Sequence, residues 1–407
     1  MLEKKSLKIL IIVENLPVPL DRRVWQEANS LKKEGYEVSI ICPKGKGFYK
    51  KLEIIDGIHI FRHPLPLEAR TAKGYFVEYF FALFWEFVLS AKVFLKRGFD
   101  VIHACNPPDL IFVVGLFYKA LFGKKFVFDH HDIFPEMWIA KGGKKNFVYK
   151  FLLILEKVTF KLSDISIATS RSYQELALKR GGQRKEDVFL VRSSPSEEIY
   201  DRDLSESSNT RSKLDKKHII GYVGVMAVQD GVDYLLRAAD YIVNKKGRSE
   251  VLFLLIGQGP EWNYLKKYVK ELNLNNNIFF TGWKSGDELV NLLNSCDIGV
   301  CPEPDNEYNN KSSLNKVLEY MMLGKPIVQF DLEEGRYLAQ GSSLYAKAND
   351  EVDFANKILV LLDNENLRKK MGEIGRKRVK EKFSWENAEK ELNKAYKSLF
   401  IKKRYKE

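Results

Sequence analysis

Short β-branched runs alternate with helical patterns along the whole chain, and this alternation restricts the fold more than any other feature. KILIIV (Lys8 to Val13) reads as a strand, RVWQEANSLKKEG as a helix stopped by Gly35, and EVSIIC as the next strand. DVIHAC, an apolar helix and KFVFDH repeat the unit, and DISIAT followed by RSYQELALKRGG repeats it again. Strands separated by helices of ~10–15 residues predict parallel sheets covered on both faces. A polar, aperiodic stretch from about Ser194 to His218 reads as a linker. Beyond it the alternation restarts at HIIGYVGV and runs to KPIVQF. The expectation is two doubly wound α/β domains, residues 1–200 and 201–383, facing each other across a cleft. Residues 384–407 form an amphipathic C-terminal helix expected to pack back towards the first domain. Ligands of such sheets bind beyond the carboxyl ends of the strands, which makes the cleft the expected site.

Composition excludes several other classes. Of 407 residues, 45% are hydrophobic and 29% charged, ordinary globular usage that argues against long disorder. The four cysteines (Cys42, Cys105, Cys296, Cys301) have no metal-ligand spacing and read as reduced thiols of a cytoplasmic enzyme. Basic residues precede an apolar run at the start, but Glu14 ends that run and no cleavage site follows, so a buried first strand fits better than a signal peptide. The most apolar stretch, Tyr75 to Leu95, contains Glu78, Glu86 and Lys92, so no transmembrane helix is expected. The net charge of +12 is unevenly shared: residues 1–200 carry 32 basic and 23 acidic side chains, a net of +9. Aromatic-rich segments accompany that excess. A solvated face over a buried aromatic helix is one reading, and a face leaning on anionic lipid is the other. No nucleic-acid-binding signature accompanies the charge, so no nucleic acid partner is expected.

The sharpest segments are GYVGVMAVQDGVDYLLRAA, LLIGQGPEWNYLKKYVKELNL, NIFFTGWKSGDELVNLLNSCDIGVCP and NKVLEYMMLGKPIV. In this order and spacing they resemble the donor-binding domain of the GT-B glycosyltransferases, specifically the retaining family called glycosyltransferase family 4. VENLPVPLDRRVWQEANSLKKEGYEVSIICP and FVFDHHDIFPE are similar to its acceptor-domain counterparts. The resemblance implies a GT-B fold of two Rossmann-like domains, acceptor-binding first and nucleotide-sugar-binding second. It also implies a nucleotide-diphosphate sugar donor, retention of anomeric configuration, and no metal or other cofactor. A diphosphate needs positive charge and free N–H groups, and a ribose needs a carboxylate. NKVLEYMMLGKP offers both, because a helix N-terminus presents unpaired N–H groups to an anion. The resemblance assigns the ribose to Glu319 and the phosphates to the backbone near Ser313, Leu314 and Asn315, with Lys316 adding charge. Read alone, Lys316 and Glu319 are equally a solvent-facing pair on one helix.

Two departures stand out. The family usually has two glutamates with seven residues between them, and counting back from Glu319 lands on Lys311. Glu303 or Glu307 is left as a substitute, or the chain belongs to a subgroup that lacks the first glutamate and keeps Asn315-Lys316. The family's Arg and Lys after the first strand of the donor domain are also missing. Gly224 and Val225 remain to let backbone approach the donor, but Gln229 and Asp230 stand where basic charge is expected. Arg22 and Arg23 are candidates to supply it, the alternative being a solvated helix start; a cation there is unfavourable to the helix.

In the first domain, His131 matches the family's cleft histidine, and Asp132 or Glu136 would orient it or act on the acceptor hydroxyl. Structural roles for His130 and His131 at a strand end are the alternative. Trp283 reads either as a face for the base or as lobe packing. The expected function is transfer of a sugar from a nucleotide-diphosphate sugar to a hydroxyl acceptor, a glycan or lipid-linked intermediate of surface polysaccharide synthesis. The expected place is the cytoplasm, with peripheral contact at the inner face of an anionic membrane. Two alternatives stay open: a GT-B nucleotide-sugar epimerase, and a non-catalytic GT-B scaffold of a polysaccharide assembly complex.

Overall fold

A computed structural model describes residues 6–64, 72–107, 109–200, 211 and 217–401. The chain divides into two compact units, one of Met1–Ile139, Gly143–Arg192 and Ala388–Glu407, the other of Ala140–Gly142 and Ser193–Asn387. The linker expected from Ser194 to His218 falls largely outside the described residues.

The first unit is built on an eight-stranded sheet. Its strands are β1 (Lys8–Ile12), β2 (Glu37–Pro43), β3 (Leu52–Ile55), β4 (Ile58–His63), β5 (Val101–Cys105), β6 (Lys125–His130), β7 (Ile165–Ala168) and β8 (Val188–Leu190). They lie in the order β3-β4-β2-β1-β5-β6-β7-β8. All neighbours run parallel except the hairpin β3–β4. The turn of that hairpin is Asp56-Gly57, both at positive φ, the combination a two-residue hairpin loop requires. Runs such as Val101–Cys105 are buried at every position, as strands covered on both faces must be. The helix Trp385–Ile401 contributes its residues from Ala388 onward to this unit. Its Tyr396 is fully buried and its Lys397 pairs with Glu34 at 3.0 Å.

The second unit carries β9 (His218–Val223), β10 (Val251–Ile256), β11 (Ile278–Gly282), β12 (Ile298–Cys301), β13 (Ile327–Phe330) and β14 (Ser343–Ala346). All are parallel, in the order β11-β10-β9-β12-β13-β14. From β9 the chain builds outward to β11, then returns to β9's other side at β12. The order therefore reverses between β9 and β12, and in the first unit between β1 and β5. Loops leaving the carboxyl ends on either side of such a reversal diverge and leave a crevice, which is where sheets of this kind bind ligands.

Candidate functional site

In the second unit, charged groups gather at the β9/β12 reversal. β9 ends at Val223, and Gly224 follows at φ 155°, a conformation that favours glycine. A Cβ at Gly224 would stand 2.8 Å from Lys316 Nζ and 3.0 Å from the Tyr222 hydroxyl. The next loop presses on the same backbone: a Cβ at Gly257 would stand 1.9 Å from the Gly224 carbonyl oxygen. Glycine at both positions lets two loops and an ammonium share one small space. Tyr222 donates to the Val225 carbonyl at 2.6 Å and lays its ring 4.2 Å from Lys316 Nζ. The exposed Val225 thus has its carbonyl occupied from within.

Lys316 and Glu319 lie on the helix Asn315–Met322, which is buried from Lys316 onward. This excludes the solvent-facing pair that spacing alone allows. The ion pair of Lys316 is made with Glu303, on the loop after β12. Burial acts against the Lys316 charge, but Glu303 and then Asp230 more than offset it, so the ammonium stays protonated well above the usual lysine range. Asp230 is pushed up to about 7, mainly by burial, with Lys316 opposing and Glu303 reinforcing. Glu303 is 2% exposed. One of its oxygens takes Lys316, and among the described residues the other accepts no hydrogen bond. The helix opens on Leu314 with no side-chain cap and no acid in its first turn. Its first N–H groups, beside Ser313, Leu314 and the exposed Asn315, are the kind of donors an anion takes. Trp283 follows β11 and is 41% exposed.

In the first unit, the Arg23 side chain is turned inwards. It is buried, with Nε and Nη2 on the two oxygens of Asp129 at 3.1 and 2.8 Å. Nη2 also pairs with Glu27 at 2.9 Å, and Nη1 donates to the Val191 carbonyl at 2.9 Å. Arg23 is therefore neither a solvated helix start nor an outward phosphate ligand: its guanidinium is committed to internal acceptors. Arg22 is exposed. The helix start carries its cations because Asp21 caps it, accepting from Val24 N at 3.1 Å, and because Arg23 answers buried acids.

Asp129, the penultimate residue of β6, lies beside His131, whose Nε2 meets Asp129 Oδ2 at 2.5 Å and Arg23 Nε at 3.0 Å. His103 Nε2 lies 3.3 Å from the same Asp129 oxygen, and its Nδ1 is 2.7 Å from the Tyr396 hydroxyl. Burial opposes the Asp129 charge, yet Arg23 and His131 hold the carboxyl well below the usual range. Glu27 goes the other way, raised by burial against Arg23's pull. Burial lowers His103. Asn106 sets the loop, its side-chain oxygen accepting from the backbone N–H of His131 at 2.7 Å and of Asp132 at 3.2 Å. Both side chains are half-buried. Glu136, by contrast, is buried against Arg180 at 2.5 Å, and His130 lies among rings with Glu156 at 3.3 Å. These two belong to an interior network.

Asp129, Glu27, His103 and Tyr396 escape a reading of the sequence. Asp129 alone leaves a signal, an acid inside the apolar strand run FVFDH.

A profile described as Glycosyltransferase Family 4 matches residues 20–192, and one described as Glycosyl transferases group 1 matches residues 217–364. An uncharacterised glycosyltransferase of Methanocaldococcus jannaschii is 24% identical over 374 residues, covering 90% of this chain and 91% of that one. Among solved structures, sucrose-phosphate synthase of Thermosynechococcus elongatus superposes with a TM-score of 0.81 at 18% identity, over 98% of this chain and all of that one. Anabaena HepE, solved with UDP and glucose, gives 0.74 at 16% identity, over 97% and 100%. The strand orders, the groups gathered at the reversal of each sheet and the two profiles agree: the chain is a glycosyltransferase of the GT-B fold.

Proposed function

We propose that the chain is a retaining transferase that moves a glycosyl group from a nucleoside-diphosphate sugar to a hydroxyl of a glycan or lipid-linked acceptor in surface polysaccharide synthesis. The observation that carries the donor half is the cluster of Gly224, Glu303 and Lys316 at the β9/β12 reversal, with Glu319 buried one turn along the Lys316 helix. In this reading Glu319 holds the ribose, and the N–H groups at Ser313 to Asn315 meet the diphosphate with Lys316 beside them. Glu303 takes the place of the missing first glutamate of the family's motif. Its unused, buried oxygen is an acceptor waiting for a donor, and a sugar hydroxyl is such a donor. Trp283 faces the base. His131, with Asp129 behind it, and Asp132 serve the acceptor hydroxyl. No divalent cation is required, since helix N–H groups and an ammonium act on the leaving diphosphate. UDP carried by a protein of the same fold supports the donor class, while retention rests on the family resemblance.

The test is a binding screen of UDP, GDP, ADP and CDP with and without EDTA, repeated with Glu319→Ala. One nucleotide should bind regardless of chelator, and the substitution should weaken it by ~2 kcal/mol, as for a lost hydrogen bond to a charged group. Binding of none, or indifference to Glu319→Ala, removes the reading. With acceptor present, the product's anomeric coupling reports retention directly. An isomerised donor in the absence of acceptor would point to epimerisation instead.

A further inference from the structure

We propose that the first unit docks on an anionic membrane surface through the joint outer face of three helices, Ala72–Lys96, Phe112–Phe122 and Phe147–Leu162. The first helix lies against the second through Phe87 and Phe117, with ring centroids 5.8 Å apart, and through Phe94 and Phe122 at 4.7 Å. The second lies against the third, where Lys119 Nζ donates to the Leu162 carbonyl at 2.7 Å. Their outward sides therefore adjoin.

Those sides are apolar where a water-facing helix is not. On the first helix, Phe80, Phe84 and Val88 recur every four residues and are exposed, while Ala82, Glu86, Leu89 and Val93 point inwards. On the second, Leu121 is 64% exposed. On the third, Phe147 is 80% exposed, and Phe151 and Ile154 continue its ridge. Single exposed apolar residues need no explanation, but a run of large aromatics across adjoining helices marks a contact surface.

Charge decides what that surface fits. Lys150, Lys157 and Lys161 recur along one edge of the Phe147–Ile154 ridge, and Lys144 and Lys145 precede it, all exposed. The one acid between Lys144 and Leu162, Glu156, is buried. Aromatics that sink into the headgroup boundary, flanked by lysines whose stems reach back to phosphate, are how a helix lies in a bilayer surface. A nucleic acid backbone would match the lysines and leave the ridge wet. A second copy would bring the same lysines against each other. No described helix is long and apolar enough to cross a membrane, so the contact is one of lying on the surface. The docking face is in the first unit and the donor cluster in the second, so the two proposals stand or fall separately.

The full chain is sedimented with phosphatidylcholine vesicles with and without phosphatidylglycerol, at ~0.15 M salt. Cooperative thermal unfolding is measured on the same preparations as a check on folding. The chain should pellet with the anionic vesicles and be released by high salt. Each lysine near such a surface is worth about a fivefold change in partitioning, so Lys150→Gln with Lys157→Gln should weaken it roughly thirtyfold. Phe147→Ser with Phe151→Ser should weaken it as well, with cooperative unfolding kept in both variants. Failure of the folded chain to pellet would overturn the proposal. So would a dimer in solution that Phe147→Ser splits, because the face would then belong to a second copy.

Discussion

Replacing Arg23 by methionine separates its internal role from a phosphate-binding one. The guanidinium is 7% exposed and answers two carboxylates, Asp129 and Glu27, that are themselves wholly buried. Removing one partner of such a pair leaves uncompensated charge in the interior and typically costs 3–5 kcal/mol. For a domain of about 150–250 residues that corresponds to a fall of roughly 10 °C in Tm. The loss should depend on pH with a definite sign. In the parent, Arg23 depresses the Asp129 carboxyl, so its stabilisation is present above the unfolded pKa and lost as acid protonates it. Without Arg23, burial dominates and raises that carboxyl, as it already raises Glu27. A raised acid favours the fold only below its unfolded pKa, and that favour is lost as pH rises through the folded value. The gap in Tm between parent and Arg23→Met should therefore widen from pH 5 to pH 8. Calorimetry of the full chain measures it, and Arg23→Met with Asp129→Asn completes a double-mutant cycle with a coupling of ~2 kcal/mol or more. A Tm unchanged within about 2 °C, together with lost nucleotide affinity, would refute the argument and return Arg23 to the ligand.

Two further outcomes concern the donor cluster. Asp230, pushed up to about 7 beside Lys316 and Glu303, should be pushed further by an arriving diphosphate. Nucleotide binding should then take up protons and weaken as pH rises through neutrality; calorimetry in buffers of different ionisation enthalpy reads the uptake, and a flat profile unaltered by Asp230→Asn would dismiss it. Gly224→Ala places a methyl 2.8 Å from Lys316 Nζ at φ 155°. The strain should cost about 1–3 kcal/mol, but the ammonium is displaced too, so nucleotide affinity should fall more than tenfold; full retention would mean the loop does not meet the donor.

What could be read from the sequence divides along physical lines. Both sheets were legible because buried parallel strands must be continuous apolar runs, such as VLFLLI and DVIHAC, and the helices between them must carry a different period. Lys316 and Glu319 were legible because three residues on one short helix fix their proximity without any tertiary knowledge. The partner of Lys316 was not, because Glu303 is brought to it only when β12 pairs with β9 and delivers the loop behind it. The same holds more strongly for the first unit. Arg23 and Asp129 are 106 residues apart in sequence, and His103 and Tyr396 are 293 apart. No local period reports such pairs; the sheet order and the return of the last helix create them. Yet the sequence did contain the misfit that demanded them: two arginines at a helix start, where a cation is unfavourable, and an aspartate inside an apolar strand. Each violates a local rule alone, and the two violations resolve each other. A buried charge found near the end of a parallel strand is therefore better answered by seeking its opposite on the segment that follows another strand than by assigning it directly to a ligand.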